Sequence, residues 1–499
     1  FDTMIASYLL NPGSRQHNLD TVVFSELKFE KISKDDLLGK GKGKISFSDV
    51  AEERLSVYSC EDADFTHRLV DKLNQDLKEA GLLSLFKNIE MPLVEVLSEM
   101  EQNGIIIDAD HLKRLGTRIE KDVSLIEKKI YDLAGKGFNV SSPLQLRNIL
   151  FNELKISSAS IGKNKTGLST SADELAKLKN SHPIIPLISE YRELVKLLNT
   201  YINTIPILVN KSTGRLHTSF NQAVTATGRL SSTDPNLQNI PIRTELGREI
   251  RKAFIAEKGY KLVSLDYSQI ELRLAAHMAG DEKMIKAFLE GHDIHTSTAA
   301  EINGVSLEKV TKEMRREAKA INFGILYGQG PHGLSQTADI SFAQAKEFID
   351  RYFEIYKGVK EYIAGSIQSA KEKGYAETMF GRRRYIPEIN SSVVQIMKSA
   401  ERMAVNTPIQ GTAADLIKKA MITVYSRLKS INHNLSTPIA RLLLQVHDEL
   451  LLEIKEEYSL TIAEEIKEIM ENTIQLKLPI IVDVNMGDNW GDLHEVKFN

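Results

Sequence analysis

The stretch Leu262-Val263-Ser264-Leu265-Asp266-Tyr267-Ser268-Gln269-Ile270-Glu271-Leu272-Arg273 runs from an apolar strand to a carboxylate at its end. Ile270, Leu272, Leu274 and Ala275 then continue as a helix or a bent strand. A second stretch, Arg441-Leu442-Leu443-Leu444-Gln445-Val446-His447-Asp448-Glu449-Leu450-Leu451-Leu452-Glu453, sets two apolar runs around three polar residues and reads as a hairpin with acids at its turn. Alone, either segment reads more readily as a turn aspartate, because Asp is common at strand ends. Two such segments in one chain change that balance. Asp266 and Asp448, brought together across one sheet, form an oxygen-rich site for a hard divalent cation. A pair of such ions about 4 Å apart activates a hydroxyl nucleophile and stabilises a leaving pyrophosphate.

Between the two acids lies Arg315-Arg316-Glu317-Ala318-Lys319-Ala320-Ile321-Asn322-Phe323-Gly324-Ile325-Leu326-Tyr327-Gly328. Arg315, Lys319, Phe323 and Tyr327 recur every fourth residue and share one helix face, drifting about 40° per step. Cations suit a triphosphate and rings suit a base. In isolation a solvated cationic turn followed by core aromatics is the simpler reading. The absence of an acid on the stripe itself argues against it. The polar run Thr225–Arg243 reads as a structural loop or as a reader of duplex minor-groove edges and phosphates. Gly381-Arg382-Arg383-Arg384-Tyr385 reads as a patch for backbone phosphates or as an exposed turn.

Around these segments stand 499 residues, a length for roughly three domains. The chain is 42% hydrophobic and 26% charged, which fits a folded chain and excludes collagen-like and low-complexity classes. One cysteine, Cys60, leaves no internal disulfide and no thiolate zinc site. No uncharged apolar run approaches the roughly 18 residues of a membrane-spanning helix. Net charge is −3, but nucleic-acid binding needs a basic face and not a basic total. The opening Phe1-Asp2-Thr3-Met4 already reads as folded sequence, as in a fragment or processed product. Helices are expected over Ala51–Ala80, Met91–Met100, Asp108–Leu133, Asp173–Ile202, Lys283–Leu289, Thr311–Leu326, Phe342–Lys373 and Val393–Leu428, and strands over Ile105–Ile107, Arg215–Phe220, Lys261–Leu265 and Leu442–Val446.

In order and spacing, Asp266–Arg273, Arg315…Lys319…Phe323…Tyr327-Gly328 and Gln445–Glu449 resemble the polymerase motifs of family A DNA polymerases. Thr225–Arg243 and Arg402–Asp415 resemble that family as well, closest to the large, Klenow-type fragment of its bacterial polymerase I group. The likeness covers almost the whole chain. It implies an α/β (α+β) right-hand fold of palm, fingers and thumb, beside a truncated RNase H-like 3′–5′ exonuclease-type domain. The expected bounds are 1–86 for the exonuclease-type part and 87–499 for the polymerase, with thumb about 105–205, palm about 206–280 and 430–499, and fingers about 281–429.

The resemblance also implies a DNA-directed DNA polymerase that extends primer–template DNA with dNTPs in repair and gap filling. Two Mg2+ ions, for which Mn2+ substitutes, would sit on Asp266 and Asp448, with Glu449 assisting. Arg315 and Lys319 would grip the triphosphate, Lys319 would protonate the departing pyrophosphate, and His295 would add a phosphate contact. Phe323 and Tyr327 would pack at the nascent base pair, Gln269 would help bind the nucleotide, and Glu271 would be the steric gate against a ribose 2′-hydroxyl. Arg229, Asn236, Gln238, Arg243, Arg402, Asn406, Gln410 and His447 would touch the DNA. A cytoplasmic, nucleoid-associated monomer is expected, with an organelle setting open and no membrane partner. Alternatives are a phage or organelle replicase, a single-subunit RNA polymerase, which Glu271 argues against, and a non-catalytic nucleic-acid-binding derivative.

Tyr58 and Asp62 match the family's third exonuclease motif, and the other two would fall upstream of residue 1. No proofreading by this chain is therefore expected. Trp490 and Cys60 read as packing residues, and the acidic run Glu456–Glu471 as a solvated helix face.

Overall fold

The computed structural model describes residues 1–159, 161–164, 167–242 and 244–498. Its centre is a five-stranded antiparallel sheet in the order Ala440–Val446, Glu449–Lys455, Tyr260–Tyr267, Val482–Gly487, His494–Glu495. The expected hairpin forms, with only His447 and Asp448 between its strands. The Tyr260–Tyr267 strand lies between the hairpin and the Val482–Gly487 strand. Leu262, Val263 and Leu265 are fully buried, so both faces of that strand are covered and its end cannot shift without breaking the core.

Helices surround the sheet. Thr3–Leu10 and Glu52–Glu79 have their own core, built on Ile5, Tyr8, Leu69, Leu73, Leu77 and Phe86. Ala109–Ala134 is the expected extended helix: the Asp108 side chain caps it at 2.8 Å from the His111 amide, and Gly135 ends it at φ 74°. Its distal half packs with Ile184–Leu197 in a separate core around Ile126, Ile130 and Ile188. The Val394–Ile431 helix crosses the main core. Among the described residues no helix is long and apolar enough to cross a membrane.

Three expected elements divide. Phe342–Lys373 breaks at Tyr356 (ψ 71°) into two helices. Asp173–Ile202 contains Pro183, and its main helix starts just after it. Arg215–Phe220 becomes two short strands, Arg215–Leu216 and Ser219–Asn221, in different sheets. The residues between them bond elsewhere: His217 Nδ1 lies 2.8 Å from the Glu101 carbonyl, and Thr218 donates to the Pro235 carbonyl at 2.8 Å.

Candidate active site

Register across the sheet aligns three acids. Asp266 pairs with Glu449 on one side and Asp483 on the other. Directly paired residues point to the same face, so the three carboxylates form a row. Asp448 precedes Glu449, and its carbonyl accepts from the Tyr267 amide at 3.1 Å. The two acids expected to converge are thus locked together through backbone. Two non-glycine residues beside them have positive φ, Gln269 at 53° and His447 at 55°. This uncommon conformation turns the chain sharply after the strand that carries Asp266 and, in the hairpin turn, just before Asp448.

Crowding raises these acids. Part of the Asp266 surface reaches solvent, yet surrounding protein, then Glu449, Asp448 and Asp483, hold its carboxyl up at about 7. Burial and the nearby Glu271 carboxylate bring Asp448 up to about 6, against the pull of Arg229. A divalent cation relieves that repulsion, so the donor set fits a hard cation of the magnesium type. Among the described residues no group of three or more His, Cys, Asp or Glu side chains is gathered to hold a metal unaided. Two carboxylates, water and substrate phosphates are what magnesium ordinarily uses.

Glu449 is fixed from behind. Its Oε1 accepts from Ser264 Oγ at 2.6 Å and from Trp490 Nε1 at 3.1 Å. Arg251 lies 3.8 Å over the Trp490 ring. Trp490 is therefore more than packing, and Asp483 is a further acid that sequence reasoning passed over. The run Ile480-Ile481-Val482-Asp483-Val484 carried the signal, since it is another apolar strand with one acid.

Lys312–Leu326 presents the expected stripe. The acid missing from the stripe comes from a neighbouring helix: Arg315 makes two 2.9 Å bonds to Asp293. Lys319 has no ion-pair partner among the described residues. The Phe323 and Tyr327 rings stack with centroids 6.1 Å apart, and His295 lies 5.7 Å from Phe323. Glu271, 7% exposed, accepts from both the Tyr327 hydroxyl and the Arg229 guanidinium.

Arg229, Gln238, Gln445, His447 and Asp448 line one small cavity. Gln238 Nε2 donates to the Gln445 carbonyl and Oε1 at 3.2 and 3.1 Å. Asn236 lies 3.3 Å from Ser232 Oγ. Asn406, Gln410 and Arg402 sit on the long helix, with Asn406 3.5 Å from the Tyr327 carbonyl and Arg402 against Gly328. Arg243 lies outside the described residues.

The Gly381–Tyr385 patch is not an open phosphate site. Arg382 is 2% exposed and bonds Glu90 and Asp415, while Arg383 bonds Glu377 at 3.0 Å. Burial between two acids, invisible in a local run of arginines, is the reason. Tyr58 and Asp62 lie apart from the sheet on the Glu52–Glu79 helix. Asp62 is paired at 2.7 Å with the buried ammonium of Lys31, which also bonds Asp20 at 2.9 Å and lies 4.7 Å over the Tyr58 ring.

Residues 109–492 match the family model described as DNA polymerase family A, and residues 1–78 match one described as 3′-5′ exonuclease. The chain is 46% identical over 495 residues to DNA polymerase I of Bacillus subtilis, covering 99% of this chain and 55% of that protein. It is 49% identical over 437 residues to the thermostable DNA polymerase I of Thermus thermophilus, covering 86% and 52%. The chain thus spans about half the length of the curated relatives it matches. The polymerase domain of Pol1 from M. smegmatis, solved with DNA primer-template and dNTP, superposes with TM-score 0.88 at 38% identity, covering 98% of this chain and 82% of that one.

Proposed function

The chain belongs to DNA polymerase family A, and from that premise we propose that it adds deoxynucleotides to a primer 3′ end under the direction of a template. The carrying observation is the meeting of Asp266 and Glu449 on rigid paired strands with Asp448 in the adjoining turn. In this reading the sheet is the palm, Lys312–Leu326 belongs to the fingers and Ala109–Ala134 to the thumb.

Asp266 and Asp448 would hold two Mg2+ ions, or Mn2+ in their place, which when bound lower the pKa of the primer hydroxyl and neutralise charge on the leaving pyrophosphate. Glu449, oriented by Ser264 and Trp490, adds negative potential beside Asp266. Lys319 holds the triphosphate and donates a proton to the pyrophosphate as it departs. Arg315 keeps Asp293 on two of its five donors and still has others for phosphate. Gln269 stands at the turn that delivers Glu271 to the sugar. Arg229, Asn236, Gln238, Arg402, Asn406, Gln410 and His447 contact the primer–template, mainly where minor-groove acceptors are similarly placed for every correct pair.

A primer-extension assay tests this reading. Extension is expected with Mg2+, none without it, and loss of at least about a thousandfold in Asp266→Asn. Undiminished extension by that variant refutes the assignment. For the amino-terminal unit we infer no proofreading, because Asp62 is held in an ion pair by Lys31, an ammonium it shares with Asp20. Mg2+-dependent degradation of a mismatched primer, abolished by Asp62→Ala, would overturn that inference. The reading also carries a monomer acting on nucleoid DNA in the bacterial cytoplasm, in keeping with its bacterial relatives.

A further inference from the structure

Asn322 lies on the helix that carries Lys319 and Phe323, yet it is completely buried. It cannot touch a nucleotide. Its side-chain nitrogen is 3.1 Å from Nδ1 of His295. Thr298 Oγ1 lies 3.2 Å from its oxygen and 3.1 Å from its nitrogen, and the Tyr356 hydroxyl lies 3.0 Å from Thr298. A buried polar chain therefore ends on one nitrogen of one imidazole.

An amide nitrogen only donates. With Asn322 placed in this way, Nδ1 of His295 accepts, and the proton of the neutral ring sits on Nε2. The charged groups facing this ring are Asp293 from the cap of its own helix and Arg315 and Lys319 from the next. Burial, helped by the two cations and opposed by Asp293, holds His295 down at about 4, so it is uncharged at neutral pH. Its ring is only 2% exposed and faces Phe323.

We propose that Asn322 is a positioning residue that holds His295 as the Nε2-protonated tautomer, so that the ring offers one uncharged N–H donor to the triphosphate beside Arg315 and Lys319. The triphosphate rests on the polymerase reading above, whereas the tautomer does not. The opposite amide orientation would place oxygen against Nδ1, draw the proton there and turn a bare lone pair toward phosphate, which is repulsive. A neutral donor orients a phosphate oxygen without adding another full positive charge to hold back pyrophosphate.

The decisive measurement is a long-range proton–nitrogen spectrum of the full chain labelled with 15N-histidine, with the His295 signals assigned by their loss in His295→Gln. The expected result is a bare Nδ1 and a protonated Nε2, unchanged from about pH 6 to 8. A proton on Nδ1, or titration within that range, overturns the proposal. Kinetics give the functional half. Asn322→Leu removes the inward donor and should raise KM for the deoxynucleotide about tenfold, with a smaller change in kcat. Asn322→Asp demands a proton on Nδ1 and favours the imidazolium, so KM should become pH-dependent by at least about threefold across the neutral range while the wild type stays flat. KM unchanged within about twofold in both variants, each with a cooperative melt, also overturns it. If either variant fails to fold, the wild-type spectrum decides alone. A wild-type chain that does not extend a primer defeats the polymerase reading and leaves the tautomer result standing.

Discussion

Glu271 carries two donors on one buried carboxylate, the Tyr327 hydroxyl and the Arg229 guanidinium. That arrangement fixes the side chain, and in the proposed polymerase reading it stands where a sugar 2′-hydroxyl would have to fit. Glu271→Ala should therefore lower discrimination between dNTP and rNTP by at least about tenfold, and also slow dNTP addition because Arg229 and Tyr327 lose their partner. The ratio of kcat/KM for the two nucleotides checks this, and an unchanged ratio removes Glu271 as gate. Phe323→Tyr places a hydroxyl on a ring between His295 and Tyr327, and dideoxynucleotide incorporation should rise. Single-nucleotide kinetics showing the same dideoxy-to-deoxy ratio would reject it. Asp266 and Asp448 were readable because each stands at the edge of a local apolar run, and the stripe because it follows a four-residue period. Asp483 and the Trp490 bond to Glu449 were not, because they reach the row through strand pairing that no local pattern encodes. Trp490→Phe keeps most of the ring and deletes the donor, so kcat should fall about fivefold with little loss of melting temperature. An unchanged kcat would return Trp490 to a packing role.

Elements meet through a buried charge cluster. Glu90 bonds Arg382 of the Tyr375–Tyr385 hairpin and Lys418 of the long helix at 2.7 Å, and Arg382 also bonds Asp415 on that helix. Burial alone would push Glu90 up, but Lys418 and Arg382 together outweigh it and bring it down to about 2, from an ordinary 4.5. The sign follows from that direction. Stability from this group is complete above the unfolded value, and it drains as pH falls through the interval toward about 2. Glu90→Gln should flatten the dependence of the urea midpoint on pH between those values, and a slope equal to wild type would contradict it. Glu90→Ala leaves two buried cations against Asp415 alone and should cost about 3–5 kcal/mol at neutral pH. The helices themselves were legible from period, as over Asp108–Leu133, and the structure adds the caps at Asp108 and Gly135. Where the sequence misled, as at Arg382, the deciding acid lies 292 residues away in Glu90.

At the scale of the whole molecule, the amino-terminal unit reaches the site through a short chain of contacts. Tyr8, 1% exposed within its own core, donates to the Thr225 carbonyl at 2.6 Å. Thr225 Oγ1 in turn donates to the Arg229 carbonyl at 2.7 Å, and Arg229 holds Glu271. Burial pushes the Tyr8 hydroxyl up to about 12, so it remains a donor through the working pH range. The unit that resembles a nuclease thus acts as a brace for the loop that presents Arg229. Its long helix was readable in the sequence over Ala51–Ala80, but its grip on Thr225 spans 217 residues and has no local signature. Tyr8→Phe deletes one hydrogen bond and keeps the ring, a change worth about 1 kcal/mol. Loosening the loop should weaken primer–template binding severalfold in fluorescence anisotropy, while the single-turnover rate at saturating DNA stays near wild type. The reverse pattern, normal affinity with a reduced rate, would mean that Tyr8 supports the acids and not the loop that presents Arg229. No change in either would mean that the two units are joined without being coupled.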